Sequence, residues 1–212
     1  MKFSEFVKIY QGAPLVDSST FSLYSEKPQD LRRQVREWVK KGYLLSLKRG
    51  LYIFSDEWRK IQPSVLFIAN FLVLPSYVSL EYALGFYELI PEKVTVITSV
   101  TTKKTKIFKN LLADFEYHSI KNDLFFGFKK EIDNNQEFFI ALPEKALLDY
   151  FYLNSHFQGS FSELESLRLQ NLENLNTELL ETYGLRYNKR IRKIARVLTR
   201  FARKEKASYK RL

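Results

Sequence analysis

The apolar positions at the start of the chain follow a helical pattern. Phe3, Phe6, Val7 and Tyr10 are three, four and seven positions apart, which is typical of one face of a short helix. The glycine and the proline of "GAPLV" then interrupt the pattern and indicate a break. A second short helix is predicted in "DSSTFSLYS", where the aspartate or one of the first two serines can cap the free N–H groups.

Residues 28–41 predict a third helix with two different faces. Pro28 suits the first helical turn, and Gly42 suits a helix end, where φ is often positive. On a helical wheel, apolar side chains fall on one side and mostly basic ones on the other. The apolar side carries Leu31, Val35, Trp38 and Val39, and the opposite side carries Gln29, Arg33, Arg36 and Lys40, with Arg32 on a flank.

Two short apolar runs follow the third helix. "YLLSL" and "LYIF" flank the turn Lys48-Arg49-Gly50 and predict two strands of a hairpin. Three helices followed by a two-stranded wing are the outline of a winged helix-turn-helix. We therefore predict such a domain over residues 1–56.

The middle of the chain mixes helical and strand patterns. "SVLFIANFLVL" and "SLEYALGFYELI" predict two buried helices, and "PEKALLDYFYL" predicts a third. Residues 93–101, 114–120, 124–130 and 137–142 are strand candidates. We therefore predict an α+β domain with a largely antiparallel sheet over residues 57–185.

The last third of the chain is helical again. "FSELESLRLQ" and "NLENLNTELLETYG" are amphipathic, and Ser162 and Asn171 are candidate caps. Residues 186–212 predict a basic amphipathic helical tail. Its apolar stripe consists of Ile191, Ile194, Ala195, Leu198, Phe201 and Ala202. The predicted fold class is α+β: a winged helix-turn-helix, an α+β domain and a helical C-terminal extension.

Charge divides the chain in the same way. The net charge of +10 over 212 residues comprises +5 in residues 1–60, −6 in residues 61–185 and +11 in residues 186–212. Basic segments attract polyanions, nucleic acid first. There is no cysteine, which excludes a disulfide scaffold and a thiolate metal site. No signal peptide and no membrane span is predicted, so we expect a cytoplasmic protein.

The basic side of the third helix and the basic hairpin turn predict a DNA-binding surface. Arginine matches the edge of guanine and glutamine matches that of adenine, whereas phosphate contacts orient the protein without specifying sequence. The predicted base contacts are Gln29, Arg32, Arg33 and Arg36, and the predicted phosphate contacts are Lys40, Lys48 and Arg49. Tyr52 can either bind near the DNA backbone or pack within the wing. A possible second polyanion surface on the tail comprises Arg190, Arg192, Lys193, Arg196, Arg200 and Arg203.

Catalytic patterns are weak in this sequence. His118 and His156 have no partner at metal-ligand spacing, and no phosphate-binding glycine motif occurs. Glu144, Lys145 and Asp149 lie on one predicted helix and leave open an alternative, a metal-dependent nuclease with a DNA-targeting domain. A winged-helix adaptor for protein partners is a further alternative. We predict no catalytic residue, metal or cofactor.

One lysine-rich run allows two interpretations. "TTKKTKIFK" is either a solvated hairpin or a contact to nucleic acid or a protein partner. Its basic residues are Lys103, Lys104, Lys106 and Lys109.

An ordered set of motifs resembles the AbiEi family of antitoxins. "LRRQVREWVKKGYLLSLKRGLYIF" is similar to that family's N-terminal winged helix. "PSYVSLEYALGFYELIPE", "VTVITSVTTKKTKIF", "FEYHSI", "FFGF" and "ALPEKALLDYFYL" follow in the order of its second domain. The resemblance covers roughly residues 1–155 and does not extend to the basic tail.

The resemblance implies an antitoxin of an abortive-infection toxin–antitoxin pair. Such a protein binds double-stranded DNA at inverted repeats in its own promoter and represses the operon. It also implies a nucleotidyltransferase-like toxin as partner. The second domain would counteract this toxin functionally, without a stable complex.

Overall fold

The computed structural model describes residues 1–209 and has an α+β architecture. We call residues 1–56 the head and residues 57–209 the body. The head begins with a helix, a very short strand and a 3-10 helix, and it ends with a second α-helix and two strands. These elements are α1 (Phe3–Tyr10), β1 (Val16–Asp17), the 3-10 helix (Ser18–Leu23), α2 (Pro28–Lys40), β2 (Leu44–Lys48) and β3 (Leu51–Phe54).

The sequence signals of the head are confirmed at both ends of α2. Pro28 is its first residue, and Gly42 has φ of +76° just beyond its end. The predicted second helix is a 3-10 helix, and the Asp17 carboxylate caps it by accepting from the Ser19 N–H at 2.8 Å. The strand β1 was not predicted, because two residues are too short for a period-two pattern to be visible.

The three head strands form one antiparallel sheet in the order β1-β3-β2. One face of this sheet carries Leu44 and Phe54 and packs against the helices of the head. The other face carries Leu51 and Ile53, which belong to the hydrophobic core of the body. The sheet therefore contributes side chains to two hydrophobic cores, that of the head on one face and that of the body on the other.

The first half of the body contains three α-helices and six strands. Ser64 caps the first of these helices through N–H groups of Leu66 and Phe67, at 3.2 and 3.3 Å. The elements are α3 (Val65–Leu72), β4 (Ser76–Val78), α4 (Leu80–Phe86), β5 (Ile97–Thr101), β6 (Lys106–Lys109), β7 (Asp114–Ser119), β8 (Phe128–Asp133), β9 (Gln136–Ala141) and α5 (Pro143–Leu153).

The body sheet has the strand order β6-β7-β5-β4-β9-β8. The pairs β5–β7 and β4–β9 are parallel, and the other three pairs are antiparallel. The prediction of a largely antiparallel sheet is thus corrected to a mixed sheet. The chain inserts β7 between β5 and β6, and β4 between β5 and β9, so strands that are distant in sequence run side by side in one direction.

The remaining helices close the body. They are α6 (Phe161–Ser166), α7 (Thr177–Gly184) and α8 (Lys189–Tyr209). Ser160 caps α6 and Asn176 caps α7, so the predicted cap Ser162 is wrong. Asn171 lies at the N-cap position of a 3-10 helix (Leu172–Asn174), but its side chain makes no capping hydrogen bond. The apolar stripe predicted on α8 is confirmed as a packing face, since Ile191, Ile194, Ala195, Leu198 and Ala202 are buried in the core of the body.

A buried ion pair lies at the centre of the body. Lys145 and Asp149 are both fully buried and contact each other along α5. Tyr77 and Ser79 donate hydrogen bonds to Oδ2 of Asp149 at 2.9 and 3.0 Å, and Tyr187 donates to Oδ1 at 2.9 Å. Lys145 also donates to the Tyr77 hydroxyl at 2.8 Å. Burial lowers the pKa of Lys145, and the Asp149 carboxylate opposes that shift.

Removing one member of this pair should leave an uncompensated buried charge. We expect Lys145→Met to reduce the free energy of unfolding by about 3–5 kcal/mol. The control is Lys130→Met, which breaks the solvent-exposed Lys130–Glu137 pair of 2.8 Å and should cost less than about 1 kcal/mol. Denaturant unfolding measures both variants. Equal losses of unfolding free energy would show that burial does not increase the cost of breaking the Lys145–Asp149 pair.

Candidate nucleic-acid interface

The apolar side of α2 is confirmed as a core face. Leu31, Val35 and Trp38 are buried, and the Trp38 ring lies 5.1 Å from the ring centroid of Phe3 and 4.8 Å from that of Phe6. This packing on α1 fixes the rotation of α2 about its axis. The basic side of α2 consequently faces away from the core of the head.

Part of the basic side lines a cleft between α2 and the β2–β3 turn. The cleft has a volume of about 530 Å³. It brings together side chains from α2 and from the turn, which the sequence separates by more than ten residues. Its lining residues are Ser18, Gln29, Arg32, Arg36, Arg49, Gly50 and Tyr52.

The backbone of Ser18 holds the two sides of this cleft together. Its N–H donates to the carbonyl of Gly50 at 2.8 Å, which attaches the turn. Its own carbonyl accepts from Nη2 of Arg32 at 3.4 Å, which attaches α2. The β2–β3 turn therefore lies beside the first turns of α2, where Gln29 and Arg32 are located.

Two of the DNA contacts predicted on α2 lie outside the lining of the cleft. Arg33 is paired with Asp30 at 3.4 Å, and Lys40 is paired with Glu37 at 2.8 Å. Both pairs are exposed, and exposed pairs of this kind contribute little to stability. Arg33 and Lys40 therefore remain available to an external partner, although neither lines the cleft with Arg36 and Arg49.

Lys48 is not displayed at the turn as predicted. Its ammonium donates to the carbonyls of Phe71 and Leu72 at 3.1 and 2.8 Å, at the end of α3, where carbonyls lack helical partners. Burial lowers the pKa of Lys48. A β-bulge between Ser46 and Lys48 interrupts the alternation of side chains. The amine therefore links the head to the body instead of facing the cleft.

Arg190 also has an internal role. Its guanidinium donates to four carbonyls at and beyond the end of α5, those of Phe151, Tyr152, Asn154 and Phe157. The closest of these contacts is 2.6 Å, to Phe157. A cation is favoured at this negative end of a helix. The prediction that Arg190 belongs to a surface for polyanions is therefore wrong.

The other basic residues predicted on the tail do lie on the outer side of α8. Arg192, Lys193, Arg196 and Arg200 line a shallow concavity of about 470 Å³. Nη2 of Arg203 lies 3.7 Å from Oε1 of Glu181 on α7. These side chains form a second basic surface, separate from the cleft of the head.

The residues of the nuclease alternative do not form an open site. Asp149 and Lys145 are fully buried and hydrogen-bonded to protein groups. Glu144 accepts from the N–H of Asn176 at 2.7 Å. Within residues 1–209, no three His, Cys, Asp or Glu side chains are placed to hold a metal ion. Over the same residues, no helix is both long and apolar enough to cross a membrane.

No protein-family model matches the chain, and no curated protein matches it. Function therefore has to be inferred from the geometry of the chain itself.

Sequence patterns missed two members of the cleft. The sequence indicates Ser18 only as a candidate helix cap and Gly50 only as a turn residue. Gly50 has φ of +86°, and a Cβ at this position would lie 2.7 Å from Oγ of Ser18. Glycine thus permits both the turn and its close approach to the 3-10 helix.

Gly50→Ala should separate the turn from Ser18, and Gly42→Ala is the matched control. Both glycines have positive φ, but a Cβ at Gly42 meets nothing within 4 Å. We expect Gly42→Ala to lower the free energy of unfolding by roughly 1–2 kcal/mol, because alanine is strained at a positive φ. The steric contact should add about 0.5–1.5 kcal/mol for Gly50→Ala, because the Ser18 hydroxyl has to leave its position. Denaturant unfolding compares the two, and equal costs would contradict the proposed close approach.

Proposed function

We propose that the head is a winged helix-turn-helix that binds double-stranded DNA. In this proposal α2 is the recognition helix and the β2–β3 turn is the wing. The order of the head elements supports it, as does the pairing of the short strand β1 with β3. In helix-turn-helix proteins the recognition helix enters the major groove, and its N-terminal residues contact the base edges.

The observation that carries the proposal is the cleft shared by α2 and the turn. Gln29, Arg32 and Arg36 enter it from the helix, and Arg49 enters it from the turn. Planar guanidinium and amide groups match base edges, so Gln29, Arg32 and Arg36 are the proposed base contacts. Arg49 is the proposed phosphate contact of the wing.

Other basic groups extend the proposed DNA surface. Arg33 and Lys40 can exchange their weak intrahelical pairs for phosphates. On the body, the outer side of α8 offers Arg192, Lys193, Arg196 and Arg200 to a polyanion. Such contacts add affinity without specifying sequence.

The regulatory role that fits best is that of an antitoxin and autorepressor. The support is the resemblance of residues 1–155 to the AbiEi family, together with a basic head that precedes an acidic segment, residues 61–185, with a net charge of −6. The chain would bind inverted repeats in its own promoter in the cytoplasm. Its body would counteract a nucleotidyltransferase-like toxin by functional antagonism. No catalytic step is assigned to it.

DNA binding should depend on salt and on Arg36. Fluorescence anisotropy with the promoter duplex and a scrambled duplex, each at several salt concentrations, measures both effects. The slope of log K against log salt should be about −0.9 per neutralised phosphate. Arg36→Ala should weaken binding to the promoter duplex by on the order of 1–3 kcal/mol and spare the scrambled duplex.

Arg33→Ala is the matched control, since it removes the same side chain type from the same helix. It should weaken binding to both duplexes by a similar, smaller amount, because Arg33 lies outside the lining of the cleft. If Arg36→Ala weakens binding to both duplexes equally, Arg36 is not a base contact. If the chain shows no preference for the promoter duplex, the repressor proposal is wrong.

Repression and neutralisation of the toxin should be separable by single substitutions. We expect Arg36→Ala to release a promoter fusion from repression while cells that express the proposed nucleotidyltransferase-like toxin still grow. The physical reason is that the cleft belongs to the head, whereas antitoxicity is proposed for the body. Reporter activity and growth measure the two properties in one strain. Loss of growth with Arg36→Ala, at unchanged protein level, would contradict this division.

A further inference from the structure

A cavity of about 450 Å³ lies in the body, away from the basic cleft. It is bounded by α4, the segment 90–96, α5 and the end of α6. Its size is within the range of small-molecule sites in proteins. Most of its wall is apolar and consists of Leu84, Ile90, Val94, Val96, Leu167 and Leu169.

Three residues that carry acceptor groups line this cavity from three different segments. They are Glu81 on α4, Glu92 on the segment 90–96 and Tyr150 on α5. Glu92 is exposed, and Glu81 and Tyr150 are half-buried. Within residues 1–209, none of these three side chains has a hydrogen bond or an ion pair. Burial raises the pKa of Tyr150, and the charges of Glu81 and Glu92 raise it further. Both carboxylates thus act on the same hydroxyl.

The charge of the cavity limits the kind of ligand that fits. Glu81 alone has a local explanation, because an acidic residue is favoured in the first turn of a helix. That explanation covers neither Glu92 nor the apolar wall beside it. An anion would be repelled here, and a purely apolar ligand would desolvate two carboxylates without pairing them.

We propose that this cavity binds a primary ammonium group carried on an aliphatic stem. An ammonium has three N–H donors, which matches Glu81, Glu92 and Tyr150. The apolar wall would cover the stem. Lys93 also lines the cavity and, as a like charge, would weaken binding of the cation. The site does not depend on the proposed DNA binding, since none of its residues belongs to the head.

Titration of the full chain without DNA tests the site. The probes are cadaverine, as a free diamine, and Nα-acetyl-lysine methylamide, as the side chain of a partner protein. Pentanol is the neutral control. Calorimetry should show binding of at least one amine and none of pentanol. Combining Glu81→Gln with Glu92→Gln should weaken binding on the order of tenfold or more, because charge-assisted hydrogen bonds are lost.

Two further variants separate a local effect from a general one. Lys93→Ala should strengthen binding several-fold, because it removes a like charge from the cavity. Glu57→Gln changes an exposed carboxylate of the segment after β3 and should leave binding unchanged.

The outcomes assign or reject the ligand. Binding of cadaverine alone indicates a free amine, and binding of the lysine derivative indicates a partner's side chain. Failure of both probes, or equal binding by the double variant and the unsubstituted chain, overturns the proposal. Weaker binding by Lys93→Ala also overturns it. Since DNA is absent, none of these results depends on the repressor proposal.

Discussion

The body is organised around a charge that cannot be left unpaired. Asp149 and Lys145 are removed from water, and an isolated buried charge is far more costly than a paired one. The Asp149 carboxylate accepts hydrogen bonds from Tyr77 on β4 and from Tyr187, which lies just before α8. The aromatic rings of Tyr77 and Tyr187 also lie within about 5.5 Å of the Lys145 ammonium, which favours a cation there. Sheet, central helix and C-terminal region must therefore assemble together.

The head is attached to this body by packing and by one amine. Its sheet contributes Leu51 and Ile53 to the core of the body, and Lys48 caps the end of α3. The other face of the same sheet supports the helices of the head. The orientation of the proposed DNA-binding cleft is consequently determined by residues that are not part of the cleft.

Local signals predicted the elements better than the site. Pro28 and Gly42 define α2 because their backbone preferences act within one or two residues, and the α8 stripe is visible as a period. β1 was missed because it is too short to show a period. The roles of Lys48 and Arg190 could not be predicted, because their carbonyl partners lie more than 20 residues away in the chain. The cleft depends in the same way on Ser18, whose contacts join distant segments, and no pattern in the sequence marks them.

The shared sheet bears on how this head could be recombined with other proteins. A head taken from another protein would have to present an apolar strand face to the body and a cation to the end of α3. Without them, part of the body's core would be open to water and the carbonyls of Phe71 and Leu72 would lose their donor. If the head binds DNA as proposed, changes of specificity should therefore arise by substitution on the outer side of α2, not by exchange of the whole head. In this chain, the surface that can vary and the surface that must be kept lie on opposite sides of one small domain.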